Sequence, residues 1–86
     1  MDPHKIIHYP LMGEKATMLR EKENVLTFIV DKKADKKQIR EAVEKMLNVK
    51  IEAVNVMHTT NGKKKAHVKV DKSQSAEEIA SHLGVL

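Results

Sequence analysis

Three consecutive lysines, Lys63, Lys64 and Lys65, are the residues of this sequence whose type and spacing most directly suggest chemistry. They follow Asn61-Gly62, a dipeptide that favours a tight turn with positive φ at both central residues. Clustered ammonium groups on a turn suit contacts with phosphates, which position a protein on a nucleic acid without reading its sequence. A solvated turn that only improves solubility accounts for this stretch alone equally well.

Two further groups of basic residues favour an anionic partner. Lys32 and Lys33 follow a predicted strand, and Lys36 and Lys37 open the next helix. Positive charge at that position opposes the helix dipole, so an anion nearby explains these lysines better than solvent does. The third group lies near the N-terminus and comprises His4, Lys5 and His8.

Other kinds of chemistry lack the residues they need. The chain has no cysteine, which excludes disulfides, thiolate metal sites and a cysteine nucleophile, and fits a reducing cytoplasm. Its 3 glycines form no phosphate loop, and its serines and threonines have no nucleophile motif. The 5 histidines lack metal-ligand spacing. We therefore expect no catalytic site, no metal and no other cofactor.

Composition predicts a small domain with an aliphatic core. The 86 residues suffice for one domain, 1–86, with 41% apolar residues and a net charge of +4. Of the aromatic residues, Phe28 is expected in the core, so recognition of RNA by base stacking is disfavoured relative to backbone and shape contacts. We expect no signal peptide, no membrane insertion and no homo-oligomer.

The elements that position these residues follow from hydrophobic patterns. Val25–Val30 is apolar on both faces, which predicts a central strand covered on both sides. A short edge strand is predicted at residues 5–8, before Pro10. Residues 14–22 then form a short amphipathic helix.

The second half of the chain has sharper local signals. Asp35 and Gln38 form a capping box that opens the best helical pattern in the chain, and Asn48 ends it. A change of parity at residues 52–53 predicts a bulge. The hairpin at residues 50–70 makes the last two strands antiparallel.

The chain ends in a further helix. A second capping box at residues 75–78 opens it, Gly84 is placed to end it, and Val85 and Leu86 are expected to pack back on the domain. The order β-α-β-α-β-β-α predicts an α+β fold, a small, mainly antiparallel four-stranded sheet layered with helices in a ferredoxin-like arrangement.

Four stretches of the sequence together resemble a known family. They are YPLMGEKA at 9–16, LTFIVD at 26–31, VKIEAVN at 49–55 and KKAHVK at 64–69. The chain is similar, over essentially its whole length, to the large-subunit ribosomal protein family twenty-three in its archaeal form.

The resemblance implies a structural constituent of the large ribosomal subunit in the cytoplasm. It implies binding to large-subunit rRNA beside the exit of the nascent-peptide tunnel, next to other ribosomal proteins, and transient docking of the signal recognition particle. The rRNA contacts expected from residues and resemblance together are Lys5, His8, Lys15, Lys32, Lys33, Asn55, Thr59, Asn61, Lys63, Lys64 and Lys65. The expected factor-docking residues are Glu14, Asn48, Val49, Lys50 and Glu52.

Two other classes of protein stay open at this point. A protein-interaction module whose basic loops merely keep it soluble would not travel with large ribosomal particles. A small acyl-phosphate hydrolase of similar topology would need an anion-cradling loop with a positioned arginine and asparagine. Arg20 and Arg40 both fall on predicted helices, which argues against the hydrolase.

Overall fold

The computed structural model describes residues 2–83, so the predicted roles of Gly84, Val85 and Leu86 lie outside the described residues. The elements are α1 (Pro3–Ile6), β1 (Ile7–Pro10), α2 (Glu14–Glu23), β2 (Val25–Val30), α3 (Lys36–Leu47), β3 (Ile51–His58), β4 (Lys64–Val70) and α4 (Ala76–His82). The strands form a sheet in the order β1-β2-β4-β3, with every neighbouring pair antiparallel. The predicted α+β, ferredoxin-like class is confirmed.

The central strand is β2, as its two apolar faces predict. It pairs with β1 on one side and β4 on the other, and all its residues are buried. Leu26, Phe28 and Val30 belong to the main core, against the helices α3 and α4. Val25 and Ile29 point to the opposite surface of the sheet, which we call the far face.

The main core is closed by α3, whose ends are fixed by local side chains. Asp35 accepts a hydrogen bond from the Gln38 backbone N–H at 2.8 Å, and Gln38 accepts one in return from the Asp35 N–H at 3.1 Å. Asn48 ends the helix in the left-handed region with φ 54. Each large aliphatic side chain that becomes buried contributes about 1.5–3 kcal/mol. The fully buried residues of α3 are Ile39, Ala42 and Val43.

The far face is covered by α2, which packs against β2. Ala16 is buried there, and so is the side chain of Arg20, which is 3% exposed. The Arg20 guanidinium donates from Nε to Glu77 Oε1 at 3.2 Å and from Nη2 to Thr17 Oγ1 at 3.1 Å. This ion pair joins α2 to α4, a connection for which the sequence has no local signal.

Side chains along β3 and β4 alternate between the two faces of the sheet. The register shifts between Ile51 and Ala53, which confirms the bulge expected at residues 52–53. Along β4, one set of side chains is buried in the core and the other lies on the far face, where it forms a basic surface. The buried set is Ala66, Val68 and Val70, and the far-face set is Lys65, His67 and Lys69.

The N-terminal prediction is partly wrong. The strand expected at residues 5–8 begins only at Ile7, because the residues before it form the additional helix α1. Asp2 starts this turn by accepting a hydrogen bond from the His4 backbone N–H at 3.0 Å. Pro3 supplies the fixed φ of a first helical position, so these two residues outweigh the strand preference that follows.

The predicted turn type of the hairpin is also wrong. Of Asn61 and Gly62, only Gly62 has positive φ, at 80. The connection is the longer loop 59–63, in which the Gly62 N–H donates to the Thr59 carbonyl at 3.1 Å. The Thr59 N–H donates to the Lys63 carbonyl at 2.8 Å, and the Thr59 hydroxyl accepts from the Lys63 N–H at 3.1 Å. The strands therefore meet across a three-residue loop, in which Gly62 alone needs positive φ.

The second capping box is only half formed in the described part of the chain. Ser75 Oγ accepts from the Glu78 N–H at 3.3 Å, but the Glu78 side chain makes no reciprocal bond there. A second start signal comes from outside the helix. Asn24 Oδ1 accepts from the Ala76 N–H at 2.7 Å.

Candidate nucleic-acid interface

The strand pairing brings the separate basic segments to one end of the sheet. Ile7 pairs with Val30, Val30 with Lys64, and Lys64 with His58, so the loops that leave these positions are neighbours. We call α1, the 31–35 loop, the first turn of α3 and the 59–63 loop with its flanks the basic end. Its cationic and histidine residues, with His8 from the start of β1, are His4, Lys5, His8, Lys32, Lys33, Lys36, Lys37, His58, Lys63 and Lys64.

A shallow cavity of about 120 Å³ lies at the basic end, between β1 and the hairpin. Several of the residues predicted to bind rRNA line it together, which the sequence alone could not establish. One acid faces this group, since the His8 Nε2 lies 3.7 Å from Asp31 Oδ1. The predicted rRNA-binding residues that line the cavity are His8, Lys32, Lys63 and Lys64.

Tyr9 is a residue of this site that sequence reasoning missed. Phe28 is 1% exposed, as predicted, but Tyr9 is 41% exposed and lines the same cavity. Lys63 Nζ donates to Tyr9 Oη at 2.9 Å and lies 5.5 Å from the ring centroid. Strict alternation would place Tyr9 on the core side with Ile7, but the register shifts between them and turns the ring outward. An aromatic surface is therefore present beside the lysines.

Some of the residues predicted to bind rRNA also hold the site together. Lys64 Nζ donates to the carbonyl of Ala34 and so ties the hairpin to the 31–35 loop. The Thr59 hydroxyl donates to Asn61 Oδ1 within the 59–63 loop. The charge of Lys64 is partly engaged inside the protein, whereas Lys63 remains exposed.

Lys15, Lys65 and Asn55 lie apart from the basic end, on or beside the far face. Asn55 is exposed on β3 and pairs with His67, which pairs in turn with Thr27 on β2. Lys15 and Lys65 line a groove between α2 and the sheet. Burial lowers the pKa of His67 below its ordinary value of 6.5, and the charges of Lys65 and Lys15 lower it further. His67 is therefore a neutral donor and acceptor near neutral pH.

The predicted factor-docking residues do not form one group. Glu14 lies in the first turn of α2, between groove-lining residues of the far face. The others connect α3 to β3 at the end of the sheet opposite the basic end, where the Lys50 N–H donates to Gln74 Oε1 at 3.2 Å and the Lys50 carbonyl accepts from the Asp71 N–H at 3.0 Å. The residues at this opposite end are Asn48, Val49, Lys50 and Glu52.

Two kinds of site are absent from the described range. Residues 2–83 contain no group of three or more histidine, aspartate or glutamate side chains that could hold a metal ion. No helix within the same range has the length and apolar character needed to cross a bilayer.

Comparison with known proteins decides the family. A family model described as "Ribosomal protein L23" matches residues 5–79, which include every strand and the cationic loops between them. The chain belongs to the ribosomal protein L23 family. Membership of the L23 family makes it a structural ribosomal protein and not an enzyme, as the residues predict, and places it in the cytoplasmic ribosome.

Archaeal members of the L23 family are similar over nearly the whole chain. The Large ribosomal subunit protein uL23 of Pyrobaculum aerophilum is 55% identical over 76 residues, covering 88% of this chain and 94% of the relative. The protein of the same name from Methanococcus aeolicus is 39% identical over 85 residues, covering 99% of each. The resemblance drawn from the sequence stretches is thereby confirmed.

Proposed function

We propose that this chain binds large-subunit rRNA through its basic end, beside the exit of the nascent-peptide tunnel. The observation that carries the proposal is the convergence of cationic residues from separate segments on one end of a rigid sheet. Such a surface suits several adjacent phosphates of a folded RNA. Its relatives are named Large ribosomal subunit protein uL23, which supports RNA as the partner rather than another anion.

The geometry of the basic end favours shape and backbone contacts, with one aromatic contact in addition. Lys32, Lys33 and Lys63 are exposed, and Lys63 is held against Tyr9. This hydrogen bond orients the ammonium group before RNA arrives, so binding costs less side-chain entropy. The exposed Tyr9 ring offers a surface for one base or ribose at the edge of the phosphate-binding lysines.

The test is a salt titration of RNA binding with three lysines removed. The variant Lys32→Ala, Lys33→Ala, Lys63→Ala keeps Lys64, which ties the loops together. We expect weaker binding to large-subunit rRNA and a flatter dependence of log K on log salt. The slope should fall by up to about 0.9 for each phosphate that the variant no longer neutralises.

A matched control removes the same charge elsewhere. Lys22, Lys45 and Lys72 are exposed and lie toward the opposite end of the sheet. Replacing all three with alanine gives the same net charge as the basic-end variant. If the position of the lysines decides binding, this control should retain the wild-type slope. Equal slopes for both triple variants would show that only total charge matters and would refute the role of the basic end.

The second part of the proposal concerns visiting proteins. We propose that the opposite end helps the signal recognition particle to dock, because Lys50 and Glu52 are exposed there and are far from the basic end. Reversing both charges, Lys50→Glu with Glu52→Lys, should reduce co-sedimentation of the particle with ribosomes while leaving incorporation of the chain unchanged. Glu14→Lys on the far face is the comparator. If only that variant reduces docking, the site belongs at Glu14.

A further inference from the structure

A groove of about 170 Å³ lies on the far face, and none of the roles given so far requires it. It is formed where α2 crosses the β2 and β4 side of the sheet. Its apolar wall comes from Leu11, Ala16 and Leu19. A cavity of about 150 Å³ accommodates a benzene ring, so the groove has room for one flat aromatic ring.

The charged rim of the groove is entirely basic. Lys15 enters from α2, and Lys65 and His67 enter from β4, while no carboxylate lines the groove. Burial lowers the pKa of His67 most, the charges of Lys65 and Lys15 lower it further, and the Glu23 carboxylate opposes them more weakly, which agrees with a basic rim. A ligand that fits must place an anionic group at this rim and a neutral group against the apolar wall.

The floor of the groove contains an unpartnered polar group. Thr27 lines the groove and is 4% exposed, and within the described chain its Oγ1 has no hydrogen-bond partner. A buried hydroxyl without a partner is costly, and most buried polar groups in proteins are paired. Valine would have the same shape at this position without the cost, so the hydroxyl points to a ligand with a polar edge.

We propose that the groove receives a single unstacked nucleobase of an RNA chain, with the adjoining phosphate held by Lys15 and Lys65. The base lies against Leu19 and Ala16, and its polar edge pairs with His67 and, once the buried Thr27 side chain rotates toward the groove, with the Thr27 hydroxyl. Bases that are splayed out of loops and bulges present such edges, whereas bases stacked within a helix do not. The inference rests on the proposed function, since rRNA supplies the nucleotide.

A nucleotide explains the groove better than a peptide side chain does. An apolar side chain would fill the wall but would leave the Thr27 hydroxyl unpaired and the lysines without a counter-charge. An acidic side chain would reach the lysines but would not fill the apolar wall. A base and its phosphate supply the ring, the polar edge and the negative charge in one ligand.

The experiment is an NMR titration of the full chain with two ligands of similar charge. Adenosine 5′-monophosphate carries a base, and ribose 5-phosphate has the same sugar and phosphate without it. We expect millimolar adenosine monophosphate to shift the amide signals of Ala16, Leu19 and Thr27 and the ring signals of His67. Ribose 5-phosphate should shift only signals near Lys15 and Lys65.

Two variants separate the base-binding role from a general effect. Thr27→Val keeps the shape of the floor and removes the hydroxyl, so the Kd for adenosine monophosphate should rise about fivefold, as expected for one net hydrogen bond. The Kd for ribose 5-phosphate should stay the same. Met18→Ala changes an exposed residue of α2 that does not line the groove, and it should leave both Kd values unchanged.

The outcomes are distinguishable from those of the proposed function. Equal shifts with both ligands, an unchanged Kd in Thr27→Val, or no shift at the groove would each overturn the base site. The salt titration of the basic end is independent of these results, because Lys32, Lys33 and Lys63 do not line the groove. An unchanged salt slope in the basic-end variant, with intact groove shifts, would instead refute only the basic end.

Discussion

Replacing Asn24 tests how one polar side chain fixes the end of the sheet opposite the basic end. Asn24 ends α2 in the left-handed region, with φ 59. Its Nδ2 donates to the carbonyls of Val70 at 3.2 Å and Gln74 at 2.9 Å, and lies farther from that of Asp71, at 3.4 Å. Its Oδ1 accepts from the Ala76 N–H at the start of α4. The side chain therefore ties β2, β4 and α4 together.

The magnitude follows from the number of bonds that the amide can make. Nδ2 has two N–H groups, so it can donate well to at most two of these carbonyls at once, and Oδ1 adds one more bond. At about 1 kcal/mol each, Asn24→Gly should cost about 3 kcal/mol while leaving the backbone unstrained. Asn24→Ala should cost about 1 kcal/mol more, because alanine is disfavoured in the left-handed region.

The assay is equilibrium unfolding in urea, with thermal unfolding in parallel. A loss of about 3 kcal/mol lowers the Tm of a domain of this size by roughly 15 °C. Asn48→Gly is the matched control, because Asn48 is left-handed with φ 54 but makes no side-chain hydrogen bond within residues 2–83. Equal destabilisation by the two glycine variants would refute the argument, since backbone conformation alone would then explain both.

Two further predictions concern other buried polar groups. Glu77→Ala leaves Arg20 buried without its carboxylate and should cost about 2 kcal/mol in urea unfolding, less than a fully buried pair because the Glu77 side chain is 43% exposed. Adding Arg20→Met should restore part of that stability, and further destabilisation would contradict the reasoning. Burial lowers the pKa of His67 in the folded chain below 6.5. Below pH 6.5 the unfolded chain therefore binds more protons than the folded chain, so the contribution of His67 to stability, which is full above pH 6.5, is lost as the pH falls. His67→Gln should flatten the dependence of the urea midpoint on pH in this range.

The parts of the fold that the sequence predicts well depend on short-range interactions. The bonds of the Asp35 capping box join residues three apart, and the position of β2 follows from apolar residues on both faces of one strand. The bulge near Ala53 shows as a change of parity within a few residues. Each of these signals lies within one element and its flanks, so it can be recognised in the sequence without knowledge of the tertiary structure.

The features that the sequence does not predict depend on partners distant in the chain. Arg20 is bonded to a residue 57 positions away, and Asn24 to carbonyls 46 to 50 positions away. From the sequence alone, Arg20 is interpreted as a basic residue near the end of a helix, and Asn24 only as the residue that ends that helix. Tyr9 is missed for a related reason, because its orientation depends on how β1 pairs with β2.

The candidate site shows the same division. Lysines in loops are visible in the sequence, but which of them meet depends on the strand order β1-β2-β4-β3. That order places the hairpin beside β2 and so brings Lys63 within reach of Tyr9, 54 residues away in the chain. It leaves Lys15 and Lys65 together on the far face, where the sequence alone would have merged them with the others.

The separation of the basic residues into two surfaces has a consequence for how RNA would be recognised. Phosphate contacts such as those proposed for the basic end position a protein but carry no sequence information. A groove that holds one base would be filled only by an RNA with an unstacked nucleotide at a fixed distance from those phosphates. Because the sheet connects the two surfaces rigidly, binding at both requires a particular RNA shape, and a regular duplex that satisfies the lysines would leave the groove empty. Selectivity for a folded RNA then follows from the spacing of two weakly specific sites, and no single residue has to supply it.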